Sequence, residues 1–199
     1  MSREAILERV RTALGRKPGD VPAPPPPVYL SQVRTTVEQR IDRFTAALEA
    51  LAGRVIRCPS RDCARDAVNE IIAGKRVIAS RASYLRECGI EPEWTECSRA
   101  DVGITGADYA LADTGTLVLL SGAEESRLVS LLPPKHVAVL PVSRLIDSLD
   151  ELFVRVPLPA DATSSMVFIT GPSRTADIEQ ILVRGVHGPG DVTVVLVDD

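Results

Sequence analysis

The chain has 199 residues, 45% of them apolar and 25% charged, with 27 acidic against 23 basic side chains and a formal charge of −4. That mixture excludes a disordered tail and a membrane bundle, and a net negative chain without a basic stripe gives no reason to expect nucleic acid. A single core suffices at this length, since folding removes roughly 70% of the unfolded surface from water.

Residues 2–14 place Ile6, Leu7, Val10 and Leu14 at helical spacing with charged residues opposite, which predicts a short amphipathic helix. Five prolines between Pro22 and Pro27 follow, a run that favours extended polyproline geometry and acts as a semi-rigid spacer or as a docking motif for a proline-reading partner. The expected organisation is therefore an N-terminal helix and linker over 1–32, available for homo-oligomer contacts, and one α/β domain over 33–199. Within that domain Val37, Ile41, Phe44, Leu48 and Leu51 predict a helix stopped at Gly53. A strand at 55–57, a helix at 64–73, and strands at 76–79 and 102–105 come next.

Residues 109–120 leave no room for a crossover helix, so they predict an antiparallel hairpin whose tip, Asp113-Thr114-Gly115-Thr116, protrudes from the sheet end. A strand at 136–140, helices at 142–152 and 175–183, and strands at 166–170 and 192–197 complete the chain. Strands alternating with helices argue for a three-layer α/β fold with a mostly parallel sheet and an inserted β-hairpin. The continuous apolar character of 136–140, 166–170 and 192–197 fits strands covered on both faces.

The apolar runs at 116–120 and 192–197 fall far short of the roughly 20 residues a membrane helix requires. Residues 1–17 lack the apolar segment of a secretory signal, so the expectation is a cytoplasmic protein with no membrane span. Cys58, Cys63, Cys88 and Cys97 fit neither a zinc site nor an iron–sulfur run, and read as reduced thiols. With two histidines in the chain, no metal site is expected.

Ligands of open α/β sheets gather beyond the carboxyl ends of strands. Gly171-Pro172-Ser173-Arg174 joins a predicted strand to a predicted helix at Thr175, so Ser173, Arg174, Thr175 and the first helical amides form a candidate anion cradle for a carboxylate or phosphate; a plain capped turn is the alternative. Asp113, the sole carboxylate at the hairpin tip, is the candidate base, nucleophile or hydroxyl-binding group, or else caps its own turn while Gly115 supplies a positive φ. Thr105 and Asp108 close the preceding strand, and Thr114 and Thr116 flank the turn. Arg127 follows the hairpin and pairs either with an acidic ligand or with Glu124 or Asp113. His187 lies in the glycine-rich stretch Gly185-Val186-His187-Gly188-Pro189-Gly190, where it faces the sheet rim or serves the turn; His136 reads as a strand-edge residue.

Three ordered segments, "GITGADYALADTGTLVL", "SLLPPKHVAVLP" and "ITGPSRTADIEQILVRGVHGPGDVTVVLV", resemble the lactate utilization protein C family, also called the LUD-domain family, over roughly residues 33–197. The N-terminal "SREAILERVRTALG" is similar to the start of such proteins. The resemblance implies a fold of the NagB/RpiA/CoA-transferase-like kind and a place in a system that oxidises L-lactate to pyruvate, with a cysteine-rich protein and an iron–sulfur protein as partners. It implies no cofactor on this chain, the iron–sulfur clusters belonging to the partners. Related proteins often carry glutamate where Asp113 stands; the acid here is one methylene shorter, which weakens any transfer of the fold's CoA-transfer mechanism. The expected function is a subunit binding a small carboxylate or organising iron–sulfur partners, and the alternative is a stand-alone CoA-transferase-like or sugar-phosphate-isomerase-like enzyme.

Overall fold

A computed structural model of the chain describes residues 2–17, 19–21, 35–91, 96–178, 181–185 and 187–199. They fall into two compact units, 1–30 and 31–199. The first holds α1 (Arg3–Ala13), whose N-terminus is capped by the Ser2 hydroxyl accepting from the Ala5 N–H and whose side chains are none of them buried. The polyproline segment expected at 22–27 lies outside the described residues.

The second unit opens with α2 (Val37–Ala50). Thr36 and Gln39 cap its first turn reciprocally, each side chain accepting from the other's backbone N–H, at 2.9 and 3.2 Å. Ile41, Phe44 and Leu48 recur on one face and are buried. The chain then runs through β1 (Arg54–Cys58), α3 (Arg61–Ile72), β2 (Val77–Ala79), α4 (Ser83–Glu87) and β3 (Val102–Thr105). The hairpin β4 (Tyr109–Leu111) and β5 (Thr116–Leu120) follows, then α5 (Arg127–Leu131), β6 (Lys135–Pro141), β7 (Leu145–Ile146), α6 (Leu149–Arg155) and α7 (Pro159–Ala162). Last come β8 (Met166–Ile169), β9 (Arg174–Ile178), β10 (Ile181–Arg184) and β11 (Asp191–Val197).

A five-stranded sheet of order β1-β11-β6-β3-β2 is parallel at every pairing. Residues 137–140 of β6 and 194–197 of β11 are apolar without a break because each face meets a different core. Val137, Val139, Val195 and Val197 pack with Ala64 and Val68 of α3 and Leu85 of α4, whereas Ala138, Leu140, Val194 and Leu196 pack with Phe44 and Leu48 of α2 and Leu117 and Leu119 of β5. The three-layer α/β architecture follows from that alternation. The inserted hairpin belongs to a second sheet, β7-β4-β5-β8, in which β4 and β5 are antiparallel, and α6 covers its outer face through Leu152.

Four expectations are corrected. Residues 175–183 form the antiparallel pair β9–β10 rather than a helix; Thr175, Ile178, Ile181 and Val183 are β-branched, and that preference outweighs the apparent helical spacing. Residues 142–152 divide into a 3₁₀ turn at Val142–Arg144, the strand β7, and α6, whose N-cap Ser148 starts the helix seven residues later than the spacing suggested. The strand at 166–170 is an edge of the second sheet with Phe168 exposed, rather than a strand fully covered on both faces. His136 sits in the middle of the parallel sheet, opposite Gly103 on β3 and Val192 on β11, and is fully buried.

All four cysteines are free thiols. Burial pushes the Cys58 thiol up to about 12, so it stays protonated at neutral pH. No described helix is long and apolar enough to cross a membrane.

Candidate functional site

Two cavities open at opposite ends of the parallel sheet. The register aligns Val102, Lys135 and Asp191 at the amino ends of β3, β6 and β11. One cavity, of about 260 Å³, touches Val192 and so lies at that amino end. The other, of about 310 Å³, is built from residues that follow β2 and β3, beyond their carboxyl ends.

The amino-end cavity gathers much of what the sequence singled out. Gly171, Ser173, His187 and Arg127 all line it, together with Thr170, Ser130 and Phe168. The two bends are joined by their backbones: the Ser173 N–H donates to the Pro189 carbonyl at 2.8 Å, and the Gly185 N–H donates to the Ser173 carbonyl at 3.0 Å. Gly171 has φ +81°, a turn conformation that glycine adopts without strain. Arg127 opens α5 and, among the described residues, pairs with no carboxylate; Glu124 pairs with Arg86 at 3.5 Å instead. His187 is exposed at the rim. Two members of the expected cradle do not join them as drawn. The Arg174 guanidinium donates to the Leu51 carbonyl at the end of α2, and Thr175 lies in β9, so no helical amides follow Ser173.

The hairpin tip packs inward rather than protruding. A Cβ on Gly115 would stand 2.5 Å from the Leu48 amide nitrogen of α2, and Gly115 has φ +65°, so the close approach and the backbone both require glycine. Asp113 is exposed, its backbone N–H donating to the Asp147 carbonyl at 3.2 Å, and it lines neither cavity. Behind it the hydroxyls of Thr114, Thr116 and Thr170 form a chain at 2.8 and 2.9 Å, which ties the tip to the wall of the amino-end cavity. Thr105 is buried and its hydroxyl meets His136 Nε2 at 2.8 Å. Burial lowers His136 to about 4, so the imidazole is neutral across the physiological range.

The carboxyl-end cavity contains Asp108 from the sequence-selected set; its other polar groups escaped the sequence. The Glu125 carboxyl lies against β2, accepting from the Ser80 hydroxyl at 2.9 Å, and its Oε1 is buried without a partner among the described residues. Burial raises Glu125 to about 8, with the charge of Asp108 adding to the effect and the Ser80 and Gly106 hydrogen bonds opposing it. Asp108 accepts from the Leu120 N–H at 2.7 Å. Arg144 donates to the Ala107 carbonyl at 2.7 Å and stacks over the Tyr84 ring at 5.7 Å. One signal pointed here: Ser80 stands one residue beyond β2, where the carboxyl-end rule directs attention. Among the described residues, no group of three or more His, Cys, Asp or Glu is arranged to hold a metal ion.

Residues 94–197 match the LUD domain. Lactate utilization protein C of Exiguobacterium sp. is 30% identical over 224 aligned residues, spanning 100% of this chain and 96% of that protein. The protein of the same name from Halalkalibacterium halodurans is 44% identical over 108 residues, and that of Bacillus subtilis 40% over 108; these matches cover 52% of this chain and 47% and 45% of the relatives. In such matches the chain spans about half the length of the curated relatives. A DUF162 family protein from Deinococcus radiodurans shares the fold, with a TM-score of 0.64 over 82% of this chain and 99% of that one at 20% identity.

Proposed function

Because the chain belongs to the LUD-domain family, we propose that it serves lactate utilization as a subunit of a system that oxidises L-lactate to pyruvate. The relatives named lactate utilization protein C support that role. In this reading a cysteine-rich protein and an iron–sulfur protein are its partners, the clusters sit on those partners, and this subunit holds a small carboxylate in the cytoplasm.

One observation carries the choice of site: Ser173, His187 and Arg127, brought from three separate segments, line one cavity with the Ser173 and Gly185 bends hydrogen-bonded to each other. A guanidinium, a hydroxyl and an imidazole around one hollow supply charge-assisted donors to a carboxylate, while Leu131 and Phe168 give its carbon end an apolar wall.

The test is twofold. Calorimetric titration with L-lactate and pyruvate should give binding that Arg127→Gln and Ser173→Ala each weaken about tenfold, the loss of one charged or polar hydrogen bond; unchanged affinity in both variants refutes the site. Omission of this chain from a reconstituted lactate-oxidising preparation should abolish turnover, and undiminished turnover refutes the role. The stand-alone transferase or isomerase reading rests on Asp113, which lines neither cavity.

A further inference from the structure

The carboxyl-end cavity is independent of the carboxylate site just described, lying at the other end of the sheet and sharing no residue with it. Strands β2 and β3 end side by side, with Ala79 opposite Ile104, and the Ser80 N–H extends the ladder by donating to the Ile104 carbonyl at 2.8 Å. The next residues of each strand therefore face one hollow. That is where open parallel sheets place their ligands. The loop after β5 folds back over it, held by the Arg81 N–H donating to the Glu124 carbonyl at 2.8 Å and by the Gly122 N–H donating to the Glu125 carbonyl at 3.0 Å. On the far side Arg144 closes the wall, one guanidinium nitrogen bound to Ala107 and its plane resting on Tyr84.

We propose that this cavity is a binding site for a small carboxylate, in which Arg144 takes the carboxylate and the Glu125 carboxyl, held by Ser80, hydrogen-bonds it. Two features argue for an anion. A guanidinium has five donors, and among the described residues Arg144, which lines the cavity, uses one on Ala107 and forms no ion pair, so the others are available to a ligand. The buried Glu125 Oε1 has no partner among the described residues, and a carboxyl oxygen left in that state marks a place where a further hydrogen bond is wanted.

The charges facing Glu125 set the sign of the pH dependence. Asp108 and Glu124 are acidic; Glu124 is offset by Arg86 at 3.5 Å, Arg144 is cationic, Arg81 is exposed beside them, and the Tyr84 hydroxyl is turned away to Asp199 at 2.8 Å. With Glu125 protonated, the cavity carries one acid, Asp108, against Arg144 once the Glu124–Arg86 pair is set aside. With Glu125 ionised, a second negative charge joins Asp108, repels an incoming anion and no longer donates to it. Binding therefore requires the protonated form and weakens as pH rises through the titration of Glu125 near 8.

The test is calorimetric titration of the full chain with pyruvate, and with acetate as the minimal carboxylate, from pH 6 to pH 9.5. Affinity should be flat below neutrality and fall about tenfold per pH unit above the Glu125 midpoint. Glu125→Gln, which keeps a neutral donor, should bind across the whole range without that fall. Arg144→Gln should lose at least about tenfold at every pH, and the pH dependence should persist in Ser173→Ala, whose weakening is confined to the amino-end site. Independently of any variant, carbon-13 NMR of the wild-type carboxyls should show the Glu125 midpoint moving upward when pyruvate is added, because the anion stabilises the protonated form. The proposal is overturned if neither carboxylate binds, if Glu125→Gln keeps the wild-type pH profile, if Arg144→Gln binds as wild type does, if the NMR midpoint stays put, or if inorganic phosphate competes as well as pyruvate.

Discussion

Replacing Gly115 by alanine tests the account of the hairpin tip. The added Cβ meets the Leu48 amide nitrogen at 2.5 Å, the Ala47 carbonyl carbon at 2.9 Å and Leu48 Cα at 2.9 Å, all backbone atoms of a helix that cannot turn aside. Alanine at φ +65° costs about 1 kcal/mol from the left-handed backbone alone. Separating the hairpin from α2 adds about 2 to 3 kcal/mol, the usual range for overpacking, and it disturbs Leu48, which is wholly buried. At about 2 to 4 °C per kcal/mol for a chain of this size, the melting temperature should drop by roughly 10 °C. Gly74→Ala is the internal control, since Gly74 has φ +70° and nothing within 4 Å of the added carbon; it should lose about 1 kcal/mol. Differential scanning calorimetry of the two variants side by side isolates the packing contribution. Equal losses refute the claim that the tip is seated against α2.

Three further outcomes follow from the buried polar groups. His136 is neutral in the fold and lowered to about 4 from an unfolded value near 6.5, so unfolding takes up a proton: stability should be intact above pH 6.5 and fall by about 3 kcal/mol as pH drops to 4, and an NMR resonance assigned to the His136 imidazole that titrates near 6.5 in the folded protein contradicts this. Glu125 has the opposite sign, its folded value raised to about 8, so its contribution is complete below pH 4.5 and is lost as pH rises through 8; in urea denaturation Glu125→Gln should match wild type at pH 5 and exceed it by about 2 to 3 kcal/mol at pH 9, after discounting for the carboxyl's partial contact with solvent, and equal stability at pH 9 speaks against a buried proton. Thr116→Val removes the middle member of the Thr114, Thr116 and Thr170 hydroxyl chain at a site 4% exposed; it should cost about 1 to 2 kcal/mol, and a neutral result in thermal denaturation shows the chain to be dispensable.

The sheet was legible where burial alone dictates sequence. Residues 137–140 of β6 and 194–197 of β11 are apolar without a break because both faces are covered, and β4–β5 was forced by the short connection between them. The misread segments were those whose neighbours decide. Residues 175–183 offer an apolar spacing compatible with a helix, and only the pairing of β9 with β10 resolves it. His136 looks like a strand-opening polar residue until β3 and β11 close on both sides of it. The glycine-rich bends around Ser173 and His187 were visible because glycine and proline mark sharp turns locally. Glu125 was invisible for the converse reason: in "AEESR" it reads as part of a solvated charge run, and its proton depends on burial against residues far off in the chain, among them Ser80, which lies 45 residues earlier.

That separation explains why the carboxyl-end cavity is the more informative of the two about chemistry. A buried carboxyl that titrates near 8 lowers stability at neutral pH relative to an apolar or amide side chain of similar size, so burial without a ligand is a net cost. The fold nonetheless commits several backbone hydrogen bonds to holding it: Ser80 is delivered by the end of β2, Gly106 by the end of β3, and the Glu125 carbonyl is fixed by the Gly122 N–H. Groups that are costly and yet positioned by secondary structure are candidates for recognition rather than for packing. Ser80→Ala separates the two. If the serine serves packing, the variant loses about 1 kcal/mol and pyruvate binding at pH 7 is unaltered; if it orients a proton donor, removing a hydrogen bond that opposes protonation moves the Glu125 midpoint above 8 while affinity at pH 7 falls, because the carboxyl is no longer aimed at the ligand. A variant whose midpoint and affinity both stay at wild-type values leaves Glu125 no role in binding that Ser80 supports.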